Sequence, residues 1–147
     1  MLTIKLICCG RMKEKFYIEA YNEYAKRLKS FCRLELKELQ ESSPEKEAAL
    51  FEKSEGRGAF VIAMAIEGKA VSSEEFAKII GELPNRGISE IDFLVGGSNG
   101  LAEEIKNRAE LKISMSEMTF PHHLARVMLA EQIYRAFKIN EGSSYHK

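Results

Sequence analysis

A chain of 147 residues, 45% hydrophobic and 30% charged, has the size and balance of one globular domain with a real core, not of a disordered segment. Its 22 basic and 22 acidic residues cancel, which excludes bulk polycationic attachment to nucleic acid or membrane. No apolar run approaches the roughly 20 residues of a membrane span, so a cytoplasmic protein without a membrane partner is expected.

The opening MLTIKLICCG lacks a basic leader and a small-residue cleavage site, and reads as a first strand over residues 2–8. Cys8 and Cys9 point to opposite faces of such a strand and cannot readily chelate one metal. With Cys32 they read as small buried residues, and no metal site is expected. KEKFYIEAYNEYAKRLKSF then places Phe16, Ala20, Tyr24 and Leu28 four apart, an apolar helical stripe. A second strand is expected at 33–39. SSPEKEAALFEKS begins the next helix, with Ser43 as N-cap and Pro44 in its first turn.

Charge is uneven across this half. From Lys5 to Arg33 there are eight basic residues against three glutamates, whereas Glu35 to Glu55 holds seven glutamates against three lysines. That pattern is either two solvated helix faces or a basic face for RNA beside an acidic one.

Further strands are expected at 59–66, 90–95 and 111–115. SSEEFAKIIGEL forms a helix capped by Ser72 or Ser73, and Glu103 and Glu104 read as first-turn helix residues. The last helix, about Pro121 to Phe137, is apolar around nearly its whole circumference, as a helix is when it lies deep in a core or is shared with a second subunit. The alternation predicts one α/β domain over 1–147, a mostly parallel sheet with helices on both faces.

Two loops carry the functional signal. IDFLVGGSNGLAEEI runs from strand through Gly96, Gly97 and Gly100 into a helix, yet it has neither the terminal Lys-Ser/Thr of a P-loop nor dinucleotide glycine spacing. MSEMTFPHH follows a short strand and offers the hydroxyls of Ser116 and Thr119 beside Met118 and Phe120. Such loops suit an uncharged aromatic ring read by backbone groups better than a phosphate. His122 and Arg126 lie one turn apart beside the second loop, Glu131 and Arg135 form a helical pair, and the tail SSYHK supplies groups able to grip RNA.

FLVGGSNGL, MTFPHHLARVMLAEQIYRAFKI, the terminal SSYHK and the amino-terminal IKLICCGRMKEKFYIEAYNEYAKRL together resemble the RlmH family, SPOUT-class methyltransferases of a pseudouridine in 23S ribosomal RNA. The resemblance covers nearly the whole chain and is weakest in the glutamate-rich middle, where Glu41 to Lys53 looks shorter than in relatives. It implies a C-terminal trefoil knot, a homodimer, and S-adenosyl-L-methionine as methyl donor to N3 of a pseudouridine in a stem-loop of the assembled ribosome. By position, Met64, Gly97, Ser116, Glu117, Met118, Thr119, Phe120 and Pro121 would bind the cofactor. Arg126, Tyr145 and His146 would meet the RNA, with His122 and Arg126 placed to position it or stabilise charge; His123 carries no role. The N3 proton could leave to a histidine or to water, or the anionic base could be selected. Transfer RNA as substrate and a catalytically silent ribosome-binding factor are the rival readings.

Overall fold

The computed structural model describes residues 1–147. Five strands alternate with five helices: β1 (Thr3–Cys9), α1 (Lys15–Leu28), β2 (Arg33–Leu39), α2 (Pro44–Ser54), β3 (Phe60–Ala70), α3 (Ser73–Asn85), β4 (Glu90–Val95), α4 (Glu103–Arg108), β5 (Leu111–Ser114) and α5 (His122–Asn140). All pairings are parallel, in the order β2-β1-β4-β3-β5. Parallel strands need crossover connections, and the helices supply them on both faces of the sheet.

Strand alternation sorts the core into two layers. Ile4, Leu6 and Cys8 of β1 face α1, α3 and α5, whereas Ile7 and Cys9 face α2 and α4. The three cysteines are free and buried, as expected of small apolar residues. Local rules explain the helix starts. Ser43 accepts from Lys46 N ahead of Pro44, and Ser72 forms a reciprocal capping box with Glu75.

Two expectations need correction. In α1 the expected Ala20, Tyr24 and Leu28 do pack on the core, joined by Tyr17, Ile18, Tyr21 and Ala25, while Phe16 is 64% exposed. A strict four-residue spacing drifts off a 3.6-residue helix, so Phe16 leaves the face that Leu28 occupies. The third strand also runs beyond residue 66. Met64 and Lys69 both pair with Ile113, so 65–68 bulge outward before β3 resumes. Gly68 permits the return, because a Cβ there would lie 2.8 Å from the backbone nitrogen of Ile113.

Candidate functional site

Three segments at the C-terminal ends of adjacent strands enclose one cavity of about 610 Å³: the β3 bulge, the glycine turn after β4, and the loop from β5 to α5. Such strand ends are where open α/β sheets bind ligands. The turn depends on its glycines. Gly100 takes a φ of +74° and donates its N–H to Gly97 O at 3.0 Å. Gly96 lies so close beneath that a Cβ would sit 2.5 Å from the Gly100 carbonyl carbon. In the other loop, Ser116 Oγ accepts from Met118 N at 3.0 Å and Ser116 O accepts from Ser114 Oγ at 3.1 Å.

Met64, Gly97, Ser116, Met118, Thr119, Phe120, Pro121 and His122 all line this cavity. Glu117 belongs to the same loop but projects into solvent and is not part of the wall. Burial, with His123 beside it, lowers the His122 imidazole below its usual value, so the ring is neutral at neutral pH.

Arg126 turns away from the cavity. It is 1% exposed, and its guanidinium donates to Glu38 Oε2 at 2.6 Å, Gly10 O at 2.9 Å and Cys9 O at 3.3 Å. The expectation that it meets substrate therefore changes: in this chain its charge is spent clamping the ends of β1 and β2. Tyr145 and His146 also lie apart from the cavity. Tyr145 donates its hydroxyl to Glu131 at 2.9 Å, and His146 lies between Arg135 at 3.0 Å and Glu74 at 2.8 Å. Arginine only donates, so His146 Nδ1 is the acceptor and Nε2–H faces Glu74. The expected Glu131–Arg135 pair is present, at 2.6 Å.

Sequence reasoning passed over several residues here. Lys106 lines the cavity and bridges Glu67 at 2.6 Å and Glu103 at 3.0 Å. The Glu41 carboxylate lies over Gly97, 3.1 Å from where a Cβ would be, and also approaches Gly10. His123 meets Glu14 at 3.4 Å while its Nε2 is buried without a partner. The available signal was Gly10, which closes β1 at the same end of the sheet and so marks a third loop at the site.

A second, mainly apolar cavity of about 400 Å³ lies between α1, α3 and α5. It shares Met64, Ile113 and Met115 with the first, and Glu131, which anchors the tail, lines it. Leu124 and Met128 on α5 stay only half-buried, so the outer face of that helix is incompletely covered.

The main cavity lacks an unpaired cation. Its walls are mostly apolar with serine hydroxyls and glycine amides, and its charged groups are the paired Lys106 and Glu67. No cluster of three or more His, Cys, Asp or Glu is arranged to hold a metal, and no helix is long and apolar enough to cross a membrane.

A family model described as "Predicted SPOUT methyltransferase" matches residues 2–146. The chain is 48% identical to "Ribosomal RNA large subunit methyltransferase H" of Oenococcus oeni, aligned over 161 positions that cover 100% of both proteins. It is 47% identical to the protein of that name from Clostridium acetobutylicum, covering 99% of this chain and 100% of the relative. Among solved structures, a probable methylase family protein from Haemophilus influenzae Rd KW20 superposes with a TM-score of 0.61 at 15% identity, over 99% of this chain and 70% of that one. TrmJ from Z. mobilis ZM4 gives 0.52 at 13% identity, over 92% and 70%. At such identities these two structures speak for the fold alone.

Proposed function

The chain belongs to the SPOUT methyltransferase family, and on that premise we propose that it transfers a methyl group from S-adenosylmethionine to large-subunit ribosomal RNA in the cytoplasm. The acceptor is N3 of a pseudouridine in a stem-loop of the assembled ribosome. The observation that carries this reading is the convergence of Met64, Gly97, Ser116, Met118 to Pro121 and His122 on one cavity whose only lysine, Lys106, is already paired with Glu67 and Glu103.

S-adenosylmethionine supplies a methyl group already activated by its sulfonium, so the protein's work is alignment and exclusion of water. Met64, Met118 and Phe120 would give the adenine apolar contact, and backbone groups at Gly97 and along the 116–121 loop would read the ring edge. Lys106 and Glu67 in the same wall would be available to the amino-acid end. His122, neutral at the cavity wall, positions the acceptor ring and is available to take the N3 proton. Arg126 contributes by holding Gly10 and Glu38 in place.

The active form is a homodimer with a trefoil-knotted C-terminal half. Dimer formation gives the half-covered face of α5 a partner. It also offers Tyr145 and His146 a route to RNA at the other subunit's cavity, which they do not reach in their own chain.

The test is transfer of labelled methyl from S-adenosylmethionine to ribosomes that lack the modification, with free large subunits and bulk transfer RNA alongside. Label on one pseudouridine of assembled ribosomes, lost in Gly97→Arg, is the expected result. Label on transfer RNA would move the substrate. Absence of label despite measurable S-adenosylmethionine binding would make the protein a silent ribosome-binding factor.

A further inference from the structure

We propose that Arg11 and Lys13, in the segment between β1 and α1, are a phosphate clamp that holds the RNA backbone at the mouth of the cavity. This rests on the RNA-methyltransferase reading above and adds the residues that grip the substrate.

The segment is built to present two cations rigidly. Gly10 takes a φ of +87°, which turns the chain sharply out of β1. Its carbonyl is held by Arg126, and two residues on the Met12 N–H donates to Glu38 Oε2 at 3.0 Å. Met12 is buried in the larger core layer, whereas Arg11 and Lys13 on either side are exposed. With Met12 anchored inward, Arg11 and Lys13 on either side are left facing solvent. Backbone held from below and cations aimed at solvent make a preorganised site, since little loop ordering remains to oppose binding.

Location supports the same partner. A Cβ on Gly10 would lie 3.6 Å from His123 Nε2 and 3.5 Å from the Glu41 carboxylate, and that carboxylate also overhangs Gly97 in the cavity wall. The turn that leads into Arg11 is thus separated from Gly97 of the cavity wall by the Glu41 carboxylate. Neither forms an ion pair in the protein. Of their acidic neighbours, Glu14 is engaged by His123 and Glu38 by Arg126, leaving Glu41 without a partner. Lys15, next along, is already paired with Glu19. In a chain of zero net charge, two free cations at the rim of an RNA-modifying site are matched by the phosphates flanking a target nucleotide.

The experiment measures the full-length protein's affinity for a large-subunit RNA stem-loop across a salt series. The wild type is compared with Arg11→Gln/Lys13→Gln and with Lys26→Gln/Lys29→Gln, a control of equal charge at the far end of α1. Each phosphate contact to a single strand contributes about 0.7 to the slope of log affinity against log salt, and to a duplex about 0.9. The first pair should flatten the slope by about 1.4 to 1.8 and weaken binding to unrelated RNA hairpins alike, with calorimetric S-adenosylmethionine binding unchanged. The control should keep the wild-type slope. Equal slopes for both variants, or a loss confined to S-adenosylmethionine binding, would overturn the clamp. A wild type that neither binds RNA in a salt-dependent way nor methylates ribosomes would overturn the proposed function instead.

Discussion

Replacing Arg126 by Met separates a clamp from a catalytic group. The methionine retains most of the apolar stem and removes the guanidinium. Three acceptors then lose a donor: the Glu38 carboxylate, Gly10 O and Cys9 O. Breaking a fully buried ion pair costs about 3–5 kcal/mol, and each buried acceptor left unsatisfied about 1–3 kcal/mol. Two facts pull the sum down. The Glu38 side chain is 29% exposed and keeps its bond from Met12 N, and the Cys9 contact is long at 3.3 Å. A loss of about 3 kcal/mol follows, which for a domain of this size lowers the melting temperature by about 6–12 °C.

The assay is thermal unfolding with and without S-adenosylmethionine, together with calorimetric binding below the transition. A clamp predicts that stability and cofactor affinity fall together. It also predicts that adding Glu38→Gln restores about 1 kcal/mol, because the unpaired charge disappears while an acceptor for Met12 N remains. A variant melting within about 2 °C of wild type, well below the calculated shift, with binding intact and methyl transfer abolished, would refute this reasoning. The guanidinium would then act on the substrate.

Gly96→Ala, whose Cβ would strike the Gly100 carbonyl carbon, should disrupt the turn and weaken S-adenosylmethionine binding at least about tenfold, an affinity loss of ~1.4 kcal/mol, by calorimetry. Asp92 in β4 is buried, and burial, followed by the neighbouring Glu90 carboxyl, pushes its carboxyl up to about 7, so the folded state keeps a proton that the unfolded chain has released. Its contribution to stability is complete below the unfolded carboxylate range and is lost as pH rises towards 7. Denaturant unfolding from pH 5 to 8 should therefore show a decline of at most about 1.4 kcal/mol per pH unit that Asp92→Asn removes; an unchanged profile in the variant would count against the assignment. Mixing Gly97→Arg subunits with subunits truncated after Gly142 should recover activity above either parent if the tail of one chain serves the cavity of the other, and no recovery would leave each site self-contained.

Where neighbouring residues decide the outcome, the sequence read well. The strands at 33–39 and 90–95, the Ser43 and Ser72 caps and the first-turn glutamates of α4 all follow from local rules. The gathering of the glycine turn and the 116–122 loop at one end of the sheet was also legible, because alternating β and α elements place such loops there, whereas Met64 was reached only through the family resemblance. What failed depended on distant partners. Arg126 looked like a rim residue because it sits one turn from His122, but Glu38, which fixes its direction, lies 88 positions away. The 65–68 bulge was invisible because it is set by where Ile113 pairs. Gly10 and Glu41 meet only through the parallel pairing of β1 with β2, which brings Cys9 beside Leu39.

With Arg126 engaged by Glu38, no unpaired cation faces the cavity: His122 is neutral, Lys106 is neutralised by Glu67 and Glu103, and the remaining walls are apolar groups, hydroxyls and amides. That distribution suits the proposed chemistry. Methyl transfer from a sulfonium to a ring nitrogen starts with a positive charge at sulfur and disperses it in the transition state. A fixed cation a few ångströms away would raise the energy of the bound donor and repel it, whereas a wall without an unpaired cation does not. Cations are useful only where phosphates arrive, outside the cavity, and that is where Arg11 and Lys13 stand. The clamp at Arg126 thus orders the Gly10 turn that presents those cations, while keeping its own charge from the reacting centre.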